Sequence, residues 1–249
     1  MGISLRNSLT GSVEPVVVPA NRALTWYSCG PTVYDAAHLG HARNYICLDI
    51  LHRVLTDHYG IAVVTAINVT DIDDKIVARA AEQGVSAGEL SRYWESEFKR
   101  DMLRLGVRPP AAWLRVTDHM DAIVAFIEGL IDSGYAYSAK GGVYFSCARL
   151  PSYGKLQQLA QEEGSEEIER GASGVGKRHP RDFALWKKRG ADSNEPYWES
   201  PWGAGRPGWH IECSAIAHSV FGCVRPPSYC RPRAPPFCSV YTATAVSLR

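Results

Sequence analysis

The residues best suited to chemistry stand close together near the start of this 249-residue chain, in Cys29-Gly-Pro-Thr-Val-Tyr-Asp-Ala-Ala-His-Leu-Gly-His41. An apolar strand, Leu24 to Ser28, carries a thiol at its end; a Gly-Pro loop follows, and two histidines three residues apart open a helix. Strand, tight loop and helix N-terminus, in that order, is where an α/β sheet binds phosphate, because unsatisfied backbone N–H groups and the helix dipole converge there. His38 and His41 share a face of the first turn, so both imidazoles can reach one anion. Gly40 between them leaves room for a flat ring to approach the backbone. Histidines at this spacing can also share a metal, but the glycine and the strand-loop-helix setting favour phosphate. The spacing points to nucleotide chemistry.

Positioning these groups requires alternating strands and helices. A helix is expected from about His41 to His58, with Tyr45, Ile46, Ile50 and Val54 on its apolar face. The run Ala62-Val-Val-Thr-Ala-Ile-Asn-Val69 is β-branched and nearly continuous, as a buried parallel strand should be. Strand, helix and strand make a βαβ unit with a right-handed crossover expected, the front half of a Rossmann-type fold. Thr70 and Asp-Ile-Asp-Asp-Lys75 follow at the carboxyl end of the second strand, where such sheets place ligands. The same residues read as a helix start, with Thr70 or Asp71 capping and Asp73 and Asp74 favouring the positive end. Both readings are compatible.

Further on, Ser86 and Glu89 form a capping box for a helix to about Leu105. A helix over roughly Asp118 to Ser133 carries Ile123, Phe126, Ile127, Leu130 and Ile131 on one face, and Tyr135 to Cys147 reads as a hairpin. Residues 157–181 are rich in Glu, Gly, Lys and Arg without periodicity, which predicts a mobile loop. Order is expected to return with Asp182-Phe-Ala-Leu-Trp-Lys-Lys188 and to continue through Pro201 to Trp209 into a strand or helix.

Composition is that of an ordinary globular protein, 45% apolar and 21% charged, with 27 basic against 26 acidic residues. That balance is unlike a nucleic-acid-binding module, so RNA contact would have to come from local patches or another domain. The longest apolar runs are too short to span a membrane, and Met-Gly-Ile-Ser-Leu-Arg has neither an apolar leader core nor the Ser or Thr of a myristoylation signal at Arg6. Asn68-Val69-Thr70 matches a glycosylation sequon but has no secretory context. Seven cysteines without a CxxC pair argue against a disulfide framework and for a reducing compartment, with the cytoplasm expected and an organelle as the alternative.

The His-Leu-Gly-His quartet resembles the HIGH signature of class I aminoacyl-tRNA synthetases, and three longer segments narrow the resemblance to the cysteinyl-tRNA synthetase family. They are Tyr27-Ser-Cys-Gly-Pro-Thr-Val-Tyr-Asp35, Asn68-Val-Thr-Asp-Ile-Asp-Asp-Lys75 and Ser200-Pro-Trp-Gly-Ala-Gly-Arg-Pro-Gly-Trp-His-Ile-Glu-Cys-Ser214, in the family's order. The likeness runs from about Asn7 to Gly222 and is weakest between Pro151 and Lys177. It implies an α/β fold, the Rossmann-type nucleotide-binding fold of class I aminoacyl-tRNA synthetases, incomplete and carrying an α+β insertion. Residues 1–106 are then the first half of the catalytic domain, 107–181 the insertion, 182–222 the return to the catalytic domain, and 223–249 a disordered tail.

By the same resemblance the reaction joins L-cysteine to ATP (with Mg2+) as cysteinyl-adenylate, then transfers cysteine to tRNA(Cys). His38 and His41 are its catalytic pair, and with Gly40 they bind ATP; Cys29, Gly30, Thr70 and Trp209 bind the amino acid, and Lys75 stands near the reacting ends. Trp209 is otherwise a core tryptophan. The family holds a zinc ion with two Cys, one His and one Glu, and Cys29 and Cys213 match the two thiolate positions. Zinc would give selectivity that shape cannot: an apolar pocket separates near-isosteres by only about 10–200-fold, whereas a soft metal bonds a thiolate and holds a serine hydroxyl poorly. The alternative is that both are ordinary buried thiols.

The likeness ceases after Gly222. From Cys223 on there are five prolines, four arginines and three cysteines and no Asp, Glu or Lys, and the family's remaining zinc ligands and Lys-Met-Ser-Lys-Ser loop are not found. The zinc site is therefore expected to be incomplete and aminoacylation by this chain weak or absent, the tail resembling translated intron or a shifted frame. Two rival functions remain at this point. One is an ATP-dependent cysteine ligase of mycothiol synthesis acting on an amino-sugar, against which Asp-Asp-Lys75 speaks; the other is a non-catalytic fragment.

Overall fold

In a computed structural model the described residues are 3–18, 23–150, 153, 176–190 and 195–222. They fall into two compact units that divide between Asp118 and His119. The segments 157–175 and 223–249, read above as loop and tail, lie outside the described residues.

The first unit is built on a parallel sheet. β3 (Leu24–Ser28) pairs with β4 (Val63–Val69), which pairs with β5 (Ala112–Arg115), both in parallel. Between β3 and β4 runs α1 (Leu39–Arg53), so the expected βαβ unit is present. A small antiparallel hairpin, β1 (Ser4–Arg6) with β2 (Val13–Pro15), precedes it.

The first helix differs from expectation at both ends. It starts at Leu39 with His38 as its cap, and past Arg53 the chain widens into a π-helical turn, Val54–His58. Tyr45 and Leu55 are its buried anchors, whereas Ile50, expected on the apolar face, is 54% exposed. Arg108 holds this far end, gripping Asp57 with both terminal guanidinium nitrogens at 3.0 and 2.7 Å while its backbone N–H donates to Asp49.

α2 (Asp74–Gln83) and α3 (Ala87–Arg104) complete the unit. The Ser86–Glu89 capping box of α3 forms as expected. The cap of α2 is Asp73, whose carboxylate accepts from the Lys75 N–H at 2.9 Å; neither Thr70 nor Asp71 serves. Those two are drawn into the interior instead, at the ends of the strands. Tyr45, Phe98 and Met102 pack together with Ile67 and Trp113 against them, which seats α1 and α3 on one face of the sheet.

The second unit is an antiparallel sheet in the order β6-β7-β8-β9: β6 (Ala136–Ala139), β7 (Gly142–Phe145), β8 (Phe183–Lys188) and β9 (Gly205–Pro207). β6 and β7 are the expected hairpin. α4 (Met120–Asp132) buries Ile123, Phe126, Ile127 and Leu130 and packs against α5 (Trp209–Phe221) and β6. Full burial of such aliphatic side chains contributes about 1.5–3 kcal/mol each.

Candidate active site

Parallel strands bring their carboxyl ends to the same edge of a sheet, and here that edge gathers the buried polar residues Ser28, Asn68, Thr70 and Asp71. β3 ends in Cys29 and Gly30, β4 in Asn68, Val69 and Thr70, and α1 begins at the next loop. The pairing continues beyond the strands: the Thr70 N–H donates to the Pro31 carbonyl at 3.0 Å and the Val33 N–H to the Thr70 carbonyl at 3.1 Å. Gly30 is required by this closeness. A Cβ there would stand 1.4 Å from the Asn68 carbonyl oxygen.

Two histidines cap α1 reciprocally. The Gly40 N–H donates to His38 Nδ1 at 3.1 Å, and the His38 N–H donates to His41 Nδ1 at 3.2 Å. The rings consequently stack, with centroids 3.9 Å apart and planes 19° from parallel, and His41 meets Phe98 edge-on. A ring nitrogen that accepts from a backbone N–H carries no proton, so each imidazole keeps its hydrogen on Nε2, aimed away from the cap. Burial, and then the neighbouring His38, push the His41 pKa below its ordinary 6.5. His41 is thus suited to donating a hydrogen bond from Nε2 as a neutral ring at pH 7. Gly40 does leave room for a flat ring, and the ring that takes it is that of His38: a Cβ on Gly40 would sit 2.8 Å from His38 Cε1.

Cys29 is half-buried and its carbonyl accepts from the Tyr45 hydroxyl at 3.1 Å, tying the strand end to α1. Thr70 is buried, and across the strand pair it faces Thr32. Asp71 is buried too, and both its oxygens accept from Thr117, from the N–H at 3.0 Å and from the hydroxyl at 2.6 Å. Burial outweighs these bonds and raises the Asp71 pKa. Lys75 is exposed at the start of α2, its ammonium 5.8 Å from the centre of the Tyr34 ring.

Trp209 and Cys213 belong to the second unit, on the first turns of α5. Trp209 is 48% exposed and hence no core residue; its ring meets that of His210. Cys213 is half-buried. Among the described residues no three of His, Cys, Asp and Glu are gathered as a metal ion needs, so the donor set does not by itself fit zinc.

Sequence reasoning missed three positioning residues here: Asn68, Tyr45 and Phe98. Asn68 carried a signal, a polar side chain inside a run of β-branched residues, where only a satisfied amide is tolerated.

The family model of the class I tRNA synthetase (C) catalytic domain matches residues 15–224. The chain belongs to that family. It is 49% identical over 223 residues to a protein of Xenopus tropicalis named a probable mitochondrial cysteine–tRNA ligase, covering 89% of this chain and 38% of that one. A cytoplasmic cysteine–tRNA ligase of Dictyostelium discoideum is 46% identical, with 88% of this chain and 34% of that protein covered. A cysteine–tRNA ligase of Pyrococcus abyssi is also 46% identical, with shares of 89% and 46%. This class I synthetase domain therefore spans between a third and a half of the length of those relatives, whose names do not favour the amino-sugar ligase. Among its described residues no helix is long and apolar enough to cross a membrane.

Proposed function

We infer that the chain supplies the cysteine-activating part of a cysteine–tRNA ligase. The observation that carries this reading is the reciprocal histidine cap, which stacks two imidazoles at a helix N-terminus beside the ends of parallel strands. In the proposed reaction the carboxylate of L-cysteine attacks the α-phosphorus of ATP, a carboxylate–phosphorus bond forms, and the bond to the β-phosphate breaks to release pyrophosphate. A carboxylate needs no activation as a nucleophile, so the protein's task is to stabilise charge on the non-bridging oxygens. His38 and His41 donate from Nε2 to those oxygens, and the helix dipole and Gly40 N-terminal turn favour the same anion.

Cys29, Gly30 and Thr70 receive the amino acid in this reading, with Lys75 near the reacting ends and Trp209 against the substrate side chain. Cys29 and Cys213 match the thiolate positions of the family's zinc site, but the described residues do not complete a donor set for the ion, and no step here depends on it. ATP enters with Mg2+, tRNA(Cys) accepts the cysteine, and a reducing compartment, cytoplasmic or mitochondrial as in the named relatives, suits the thiols. Cysteine-dependent exchange of pyrophosphate into ATP, with serine as control, tests the reading directly. Exchange at equal rates with cysteine and serine, or ATP binding unchanged when both histidines are replaced, would overturn it.

A further inference from the structure

The register of the strand pair changes at the cysteine. Leu24 to Ser28 face Val63 to Ile67 one to one, and Thr32 then faces Thr70. Four steps on the first strand therefore match three on the second, and the extra residue lies in the Cys29-to-Pro31 stretch. A bulge of this kind leaves a backbone donor outside the ladder and re-aims the side chain beside it, and bulges concentrate next to active sites. Here the displaced donor is the Gly30 N–H. It is met by a side chain, donating to Asn68 Oδ1 at 2.8 Å.

Asn68 is completely buried, in the middle of an otherwise apolar strand end. Its amide nitrogen donates to the Thr70 hydroxyl oxygen at 3.3 Å. One carboxamide thus holds the bulge on one strand with its oxygen and orients a hydroxyl on its own strand with its nitrogen. No apolar residue could do either, and a carboxylate could do only the first.

We propose that Asn68 is the positioning residue of the amino-acid pocket: its carboxamide clamps the bulge at Gly30, and so aims Cys29, while it orients the Thr70 hydroxyl on its own strand. The assignment of a pocket rests on the cysteine-activating reading above, but the clamp is a property of the fold and is testable without it. Asn68→Ala deletes both bonds, and Asn68→Asp restores only the acceptor for Gly30. Each variant is followed by three measurements on the full chain: calorimetric affinity for L-cysteine, calorimetric affinity for ATP, and the alkylation rates of Cys29 and Cys47 by iodoacetamide, resolved by peptide mass spectrometry.

The clamp predicts that Asn68→Ala weakens cysteine binding about tenfold or more, as expected for losing a buried hydrogen-bonded pair, while ATP affinity stays within about twofold. The Cys29 alkylation rate shifts at least about threefold, that of Cys47 stays put, and Asn68→Asp returns Cys29 part of the way. A Cys29 rate and cysteine affinity both unchanged in folded Asn68→Ala overturn the proposal. So does equal loss of cysteine and ATP affinity in folded Asn68→Asp, since that marks a merely structural amide. If the unaltered chain binds neither ligand, the functional reading fails and the Cys29 rates alone decide the clamp. If Asn68→Ala does not fold, the Asn68→Asp rates decide it.

Discussion

In the first unit the buried polar side chains Ser28, Asn68, Thr70 and Asp71 crowd the carboxyl ends of two neighbouring parallel strands, with Ser91 and Glu95 apart from them on α3; in the second, Asp182, Arg206 and Glu212 are dispersed before β8, on β9 and on α5. Asp182 shows what the dispersed kind does. Its carboxylate accepts from the Tyr137 hydroxyl at 2.7 Å and the Cys147 N–H at 3.1 Å, and the Arg178 N–H donates to that same hydroxyl. These bonds stitch one loop to a hairpin. The difference follows from the sheets: antiparallel strands alternate direction and offer no common end, whereas parallel strands converge their ends and helix N-termini on one edge. Buried polarity is thus scattered as local stitching in the second unit, whereas in the first much of it gathers at one sheet edge, beside the stitch that Glu95 makes with Lys99 and Arg115.

Replacing Trp186, fully buried on β8, by alanine is expected to cost about 3–5 kcal/mol in chemical denaturation. The contrast requires that the folded remainder keep its ATP affinity; a parallel loss of both would erase the distinction between the units. His38→Asn should do the reverse. Asparagine caps a helix as well as any residue, so stability should stay within about 0.5 kcal/mol, while His38→Ala loses about 1 kcal/mol. Cysteine-dependent pyrophosphate exchange should nevertheless fall about 10²-fold in the asparagine variant, the usual effect of removing one preorganised donor. Exchange that survives His38→Asn would reduce the histidine to a cap.

Tyr137→Phe comes next in size. Removing that hydroxyl leaves the buried Asp182 short of a donor and should cost about 1–3 kcal/mol, read from the midpoint of denaturation, with no change in exchange per folded molecule. Burial, ahead of the other influences, pushes the Tyr137 pKa up to about 12, so the stitch holds throughout the physiological range.

The smallest effect is a pH slope. Burial lowers the His41 pKa below 6.5, so the unfolded chain takes up that proton more readily than the folded one. The stabilisation is therefore complete above pH 6.5 and is lost as pH falls through the folded value, where a proton on Nδ1 would displace the His38 N–H. Thermal midpoints between pH 8 and 5 should decline on the acid side, and His41→Gln should flatten that decline. An identical slope in the variant would place the titration elsewhere.

Much of the first unit is legible in the amino-acid order alone. The Ser86–Glu89 box, the β-branched β4 and the hairpin around Gly142 of the second unit are each settled within a few residues, and they form where expected. The start of α2 is harder to read, because Thr70, Asp71 and Asp73 are all good caps and burial claims the first two. Ile50 follows the helical period yet lies outside, because the face that α1 turns inward is set by the Tyr45 packing against Phe98 and Met102 and not by periodicity alone. The histidine pair is legible as a site, but its stacking and protonation come from hydrogen bonds to backbone.

By itself the sequence determined the order of strands and helices, the family, and the identity of the groups able to do chemistry, because side-chain periodicity and capping act over one or two turns. Only the tertiary structure decided the bulge at Gly30, the amide of Asn68 that fills it, and the burial of Asp71 against Thr117. Those partners lie 38 and 46 residues apart in the chain. Contacts at such separations are set by which strands pair and in what register, a choice made by the packed whole rather than by any local stretch.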